Sequence, residues 1–146
     1  MSWREWVKGR KRMTLLWLDD IRDPNDQEVD WMVFSPIGRD VDIVWVKNYD
    51  QFCNHIRFNG LPDGICFDHD LGEDESLSRV SRGMNKKVSR RLKKESKSGF
   101  DCAKFLVDYC LDRNLSIPPY NIQSANPVGK ENINGLLKSY ERFFLK

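Results

Sequence analysis

Apolar residues in this chain fall into short runs divided by polar breaks. Residues 13–18, 43–46, 65–67 and 120–123 each read as a buried strand. Between them the spacing changes to that of helices. Asn48 or Asp50 can cap a helix that turns Tyr49, Phe52, Cys53 and Ile56 inward, and Asn59-Gly60 ends it. Residues 101–113 predict a second helix, with Cys102, Ala103, Leu106, Val107, Cys110 and Leu111 inward and Asn114 as its stop. Asn126-Pro127 has the form of a cap followed by a proline at the first helical position. Ile133, Leu136, Leu137, Tyr140, Phe143 and Phe144 then recur at helical spacing. Trp31-Met32-Val33-Phe34 fits neither pattern cleanly. It is either a short extra strand or an apolar plug over the sheet.

Strands alternating with helices predict an α/β domain with a short, mostly parallel sheet of four to five strands and helices on both faces. Right-handed crossovers lead to the strand order two-one-three-four, with the switch point between the first and third strands. Ligands of such sheets bind beyond the carboxyl ends of the strands at that point. Here the first strand runs into Asp19-Asp20 and the third into Asp68-His69-Asp70. Like charges gathered on one rim repel unless a cation, a shared proton or solvent relieves them.

The chain has 146 residues, which suits a single domain, expected over 13–146. The net charge of +2 conceals a strong asymmetry. Basic residues crowd an N-terminal extension, 1–12, and an insertion at about 73–98 that carries Arg79, Lys86, Lys87, Arg90 and Arg91. An acidic rim beside basic flanks suits an anionic ligand held through a cation, and would also suit RNA contact through the insertion. Trp3 and Trp6 in the extension could stack on a base or cover a sheet edge. Cys53, Cys66, Cys102 and Cys110 lack Cys-x-x-Cys spacing and lie in apolar patterns, as expected for reduced thiols of a cytoplasmic protein. Neither a membrane span nor an apolar signal region is visible, so no membrane partner is expected.

Four stretches together carry a family resemblance. They are Leu18-Asp19-Asp20-Ile21-Arg22-Asp23-Pro24, Phe67-Asp68-His69-Asp70-Leu71-Gly72, Gly99-Phe100-Asp101-Cys102-Ala103-Lys104-Phe105-Leu106, and Ser124-Ala125-Asn126-Pro127-Val128-Gly129-Lys130-Glu131-Asn132-Ile133. The acidic residues resemble the acid pocket of receiver domains. The four stretches in order more closely resemble the cyclic-phosphate-processing receiver-like family. The resemblance implies a receiver-like (flavodoxin-like) three-layer fold and a cyclic phosphate as ligand. The chain departs from the family's pattern where Gln123 stands in place of a usual histidine, in the length of the basic stretch 79–97, and in the basic N-terminus.

The chemistry expected is that of phosphate. Asp19, Asp20 and Asp68 could hold one hard cation, magnesium or alternatively manganese, through carboxylate oxygens. The competing arrangement has these acids capping helices or meeting a nearby arginine such as Arg22. Asp68, His69 and Asp70 are the catalytic candidates, with His69 as the proton-transfer group or, alternatively, a structural histidine. Arg22, Ser124, Asn126 and Lys130 are the phosphate-binding candidates, the last three framing a helix N-terminus. His55, mid-helix, is expected to have no role. These residues, together with what the resemblance implies about the ligand, lead to the expectation of a metal-dependent phosphoesterase acting on cyclic phosphates of nucleotides or RNA ends. The alternatives are a non-catalytic binder of such ligands, or a receiver with Asp68 as phosphoacceptor.

Overall fold

The structure, a computed structural model, describes residues 12–71 and 97–145. The basic N-terminal extension (except Arg12), Gly72 and nearly all of the basic insertion lie outside the described residues, and with them Trp3, Trp6 and every expectation placed on 79–96.

Strands β1 (Met13–Leu18), β2 (Val41–Val46), β3 (Gly64–Phe67) and β4 (Tyr120–Ile122) form one parallel sheet in the order β2-β1-β3-β4, as the pattern of runs predicts. Leu15 is in register with Ile43 on one side and Gly64 on the other, and Ile65 with Tyr120. The central strands are covered on both faces, which is why they read as unbroken apolar runs rather than alternating ones. Leu15, Leu16, Trp17 and Leu18 are all fully buried.

Alternate residues separate the two faces. Leu16, Leu18, Ile65, Phe67 and Ile122 pack with helices α1 (Tyr49–Asn59), α2 (Gly99–Arg113) and α3 (Pro127–Phe144). Leu15, Trp17 and Cys66 face the other way and are covered by Trp31, Met32, Phe34 and Ile37. The first four of the segment, Trp31–Phe34, form a 3-10 turn. Of the two arrangements open for it, the segment is therefore the plug and not a strand. Among the described residues the three α-helices lie on one face only. On the second face the described cover is this turn and the residues beside it. The link from β1 to β2 is broken by Pro24 and rich in Asp, and a helix there would lack an apolar stripe.

The helix ends follow their capping residues. Asn48 Oδ1 accepts from the Gln51 N–H at 2.9 Å, and Gly60, with φ of 80°, ends α1. Asn114, at φ 54°, ends α2. That helix starts two residues before the expected Asp101, because Ser98 donates its N–H to Asp101 Oδ2 at 2.8 Å and so is the cap itself. Leu111 and Phe143, expected inward, are exposed at 51% and 66%. Each lies about 100° around its helix from a neighbour, Cys110 or Phe144, that meets the core, and the stripe is too narrow to include both. None of the described helices is long and apolar enough to cross a membrane.

The ladder continues one residue past the strand ends. Asp19 donates its N–H to Val46 O (3.1 Å), Asp68 to Leu18 O (3.0 Å), and Gln123 to Phe67 O (2.9 Å). These three bonds level the carboxyl ends of the strands and bring both acidic clusters to one rim.

Candidate functional site

The first acidic loop is built around Asp19, which is fully buried. Its Oδ1 accepts the backbone N–H groups of Ile21 (3.0 Å) and Arg22 (2.9 Å), and its Oδ2 accepts from Arg22 Nη1 at 3.1 Å. Two indoles hold the same loop from beneath. Trp45 Nε1 donates to Asp19 O at 2.7 Å, and Trp17 Nε1 donates to Arg22 O at 2.9 Å. Both tryptophans were expected as core residues. Their polar edges also fix the turn that aims Asp19.

Asp68 enters from β3 and is 5% exposed. Its Oδ1 lies 3.9 Å from Arg22 Nη1. Burial above all, and then the charges of Asp19 and Asp20, push its pKa up to about 7, against the pull of Arg22. The carboxylates of Asp19, Asp20 and Asp68 each present an oxygen within 4.8 Å of the others. With Ile21, Arg22, Asp70 and Ala125 they line a cleft of about 170 Å³. A hard divalent cation takes carboxylate oxygens of this kind, and the site already draws in a cation of its own, the Arg22 guanidinium, so the donor set fits such an ion.

The second half of the site is a chain of contacts from β3 to α3. His69 Nδ1 lies 2.8 Å from Asp70 Oδ1, which also accepts from Asn126 Nδ2 at 3.3 Å. These bonds, His69's first and then Asn126's, hold Asp70 below the usual carboxylate range. Asn126 caps α3 as well, its Oδ1 accepting the Gly129 N–H at 3.1 Å. Two glycines make this approach possible. A Cβ at Gly129 would lie 2.3 Å from His69 Cγ, and one at Gly99 would lie 1.9 Å from the Asp68 carbonyl oxygen. The signal for these two positions was a glycine at a helix start or in a first turn, where propensity alone gives no reason for one.

Asp19, Asp20, Asp68, Asp70 and Arg22 thus meet in one cleft, with His69 and Asn126 tied to it through Asp70. Arg22 pairs with the acids, the competing arrangement open to it from sequence. Ser124 Oγ accepts the Asn126 N–H at 3.1 Å, a turn that leads into α3. Lys130 lines a different space, a groove of about 460 Å³ along the outer edge of β4 with Tyr120, Asn134 and Lys138. Among the described residues the hydrogen bonds of His55 stay within its own helix, to Asn59. Gln123 is buried and donates from Nε2 to Leu18 O at 3.2 Å, while its Oε1 has no partner among the described residues.

Residues 14–139 match the cyclic-phosphate processing Receiver domain family. That span covers most of the chain, and the chain belongs to this family. No curated protein matches the chain.

Proposed function

We propose that this member of the cyclic-phosphate processing receiver family is a metal-dependent phosphoesterase that opens cyclic phosphates of nucleotides or RNA ends. The observation that carries the reading is the Asp19–Asp20–Asp68 triad, which arises from two separate strands, lies within one small cleft, and has its two buried members, Asp19 and Asp68, beside a single arginine. These three carboxylates would hold the divalent ion, magnesium or manganese. That ion would supply charge neutralisation for the phosphoryl group and activation of water.

The remaining roles fall to the chain's own groups. Hydrolysis adds water across one P–O bond, so one proton must leave the water and another must reach the departing ribose oxygen. His69 is the group to move it. Its Nδ1 is engaged by Asp70, which fixes the ring's orientation. Arg22 and the N-terminal turn of α3, with Ser124 and Asn126, offer donors to the phosphate oxygens. Lys130 contributes at most from the neighbouring groove.

The test is direct. The full chain, incubated with 2′,3′-cyclic nucleotides and an RNA ending in a cyclic phosphate, should open them with Mg²⁺ or Mn²⁺ and not with a chelator present. Asp68→Asn should abolish turnover with the fold retained. No opening across that panel with either metal refutes the hydrolase. Gln123 supports a second reading, a binder that sequesters the ligand. Its amide does not titrate and is spent on Leu18 O, so it cannot donate a proton. Tight binding with the ligand recovered unchanged would favour the binder.

A further inference from the structure

We propose that Arg22 and the divalent ion exchange places in the acid cleft, so that metal binding releases the arginine to hold an anionic oxygen of the ligand. The inference rests on the metal-site reading above.

The argument begins with the lone pairs of Asp19. Its Oδ1 is already taken by two backbone N–H groups, of Ile21 and Arg22. The oxygen left for an ion is Oδ2, and Arg22 Nη1 holds it at 3.1 Å. The same nitrogen stands 3.9 Å from Asp68 Oδ1. A guanidinium that bridges two members of a triad packed within 4.8 Å lies where the ion must enter. A magnesium ion needs carboxylate oxygens at about 2.1 Å and repels a second cation at that range. The two cannot share the site.

The backbone of Arg22 is not free to follow. Its N–H is bound to Asp19 Oδ1 and its carbonyl to the Trp17 indole. Only the side chain moves. It has a second partner at hand, because the guanidinium carbon lies 5.3 Å from the centre of the Trp31 ring. With the carboxylates taken by metal, its donors face the cleft mouth unpaired. A planar fork of five N–H groups suits a phosphate oxygen pair. Metal and phosphate then bind with positive linkage, and by reciprocity each tightens the other.

Three measurements on the full chain test this. Mg²⁺ affinity, read from tryptophan fluorescence or calorimetry, should be roughly tenfold tighter in Arg22→Gln than in the wild type, since the competing cation is gone. The Mg²⁺-loaded Arg22→Gln protein should bind inorganic phosphate roughly tenfold more weakly than the loaded wild type. In the wild type, the Arg22 Nε–H signal in a nitrogen-correlated NMR spectrum should move as Mg²⁺ is added. This third measurement needs no variant to fold. Saturation with Mg²⁺ while that signal stays fixed, or an Arg22→Gln protein that binds Mg²⁺ no more tightly, overturns the exchange and leaves the metal site standing. If neither protein binds Mg²⁺, the metal reading falls and the exchange with it.

Discussion

Burial has raised Asp68, and this can be measured as stability. Its carboxyl titrates at about 7 in the folded chain against 3.8 when unperturbed. The folded state therefore holds a proton that the unfolded state has lost across the window between these values. Stability from this group is fully present below pH 4 and declines as pH rises through 7. A difference of this size corresponds to a loss of about 4 kcal/mol over the window. The loss is large beside the 5–15 kcal/mol typical of a whole domain. Asp70 and Asp30 are both lowered and work in the opposite direction, so the raw pH profile mixes several groups. Asp68→Asn isolates the effect, because the amide has the same shape and no charge. Urea unfolding of both proteins with a chelator present should give similar free energies at pH 4. At pH 8 the variant should be the more stable, by up to about 4 kcal/mol. Mg²⁺ should restore the wild type at pH 8 and leave the variant largely unmoved, since the ion takes the place of the missing proton. If the two proteins keep a constant stability difference from pH 4 to 8, Asp68 is not under this strain and the electrostatic case for a cation is lost.

Other consequences follow from the packing around the rim. Gly99→Ala would drive a Cβ into the Asp68 carbonyl at 1.9 Å, a backbone contact that cannot swing aside, and thermal melts should show a loss of about 3 kcal/mol or more. Gly129→Ala meets the His69 ring instead, at 2.3 Å. A side chain can yield, so a loss of about 1–3 kcal/mol is expected together with a displaced His69 imidazole signal in NMR. Asn126→Ala removes a helix cap and a partner of Asp70, and should lower unfolding stability by about 0.5–2 kcal/mol. The four cysteines are buried, and burial pushes the Cys66 thiol up to about 12 and the Cys110 thiol to about 11. A thiol reagent at pH 7.5 should label none of the four until the chain is denatured, and rapid labelling of the native chain would contradict the core as described.

Local sequence carried the elements and their ends. A buried parallel strand must be apolar on both faces, so residues 13–18 and 65–67 announce themselves as runs. Asn48, Gly60, Asn114 and Asn126 act on the backbone beside them, and their roles need nothing from afar. The strand order followed too, from chirality and connection rules. That Asp19 and Asp68 share a rim was legible for the same reason, since each follows directly on an apolar run.

What tertiary structure decided were pairings across long separations in sequence. Whether Arg22, beside Asp19 in its own loop, also reaches Asp68 depends on how closely β1 and β3 level their ends, a distance that no spacing encodes. The plug at 31–34 has an apolar pattern compatible with strand or cover, and the apolar face offered by Leu15, Trp17 and Cys66 chose cover. Lys130 follows Asn126 by one helical turn, yet the helix turns it toward the outer edge of β4. Trp45 reaches the Asp19 carbonyl because β2 is the neighbour of β1. Gly99 and Gly129 are required by how closely α2 and α3 approach the Asp68–His69 segment. Backbone propensities act over a few residues, whereas these contacts are set by shape and charge meeting through space.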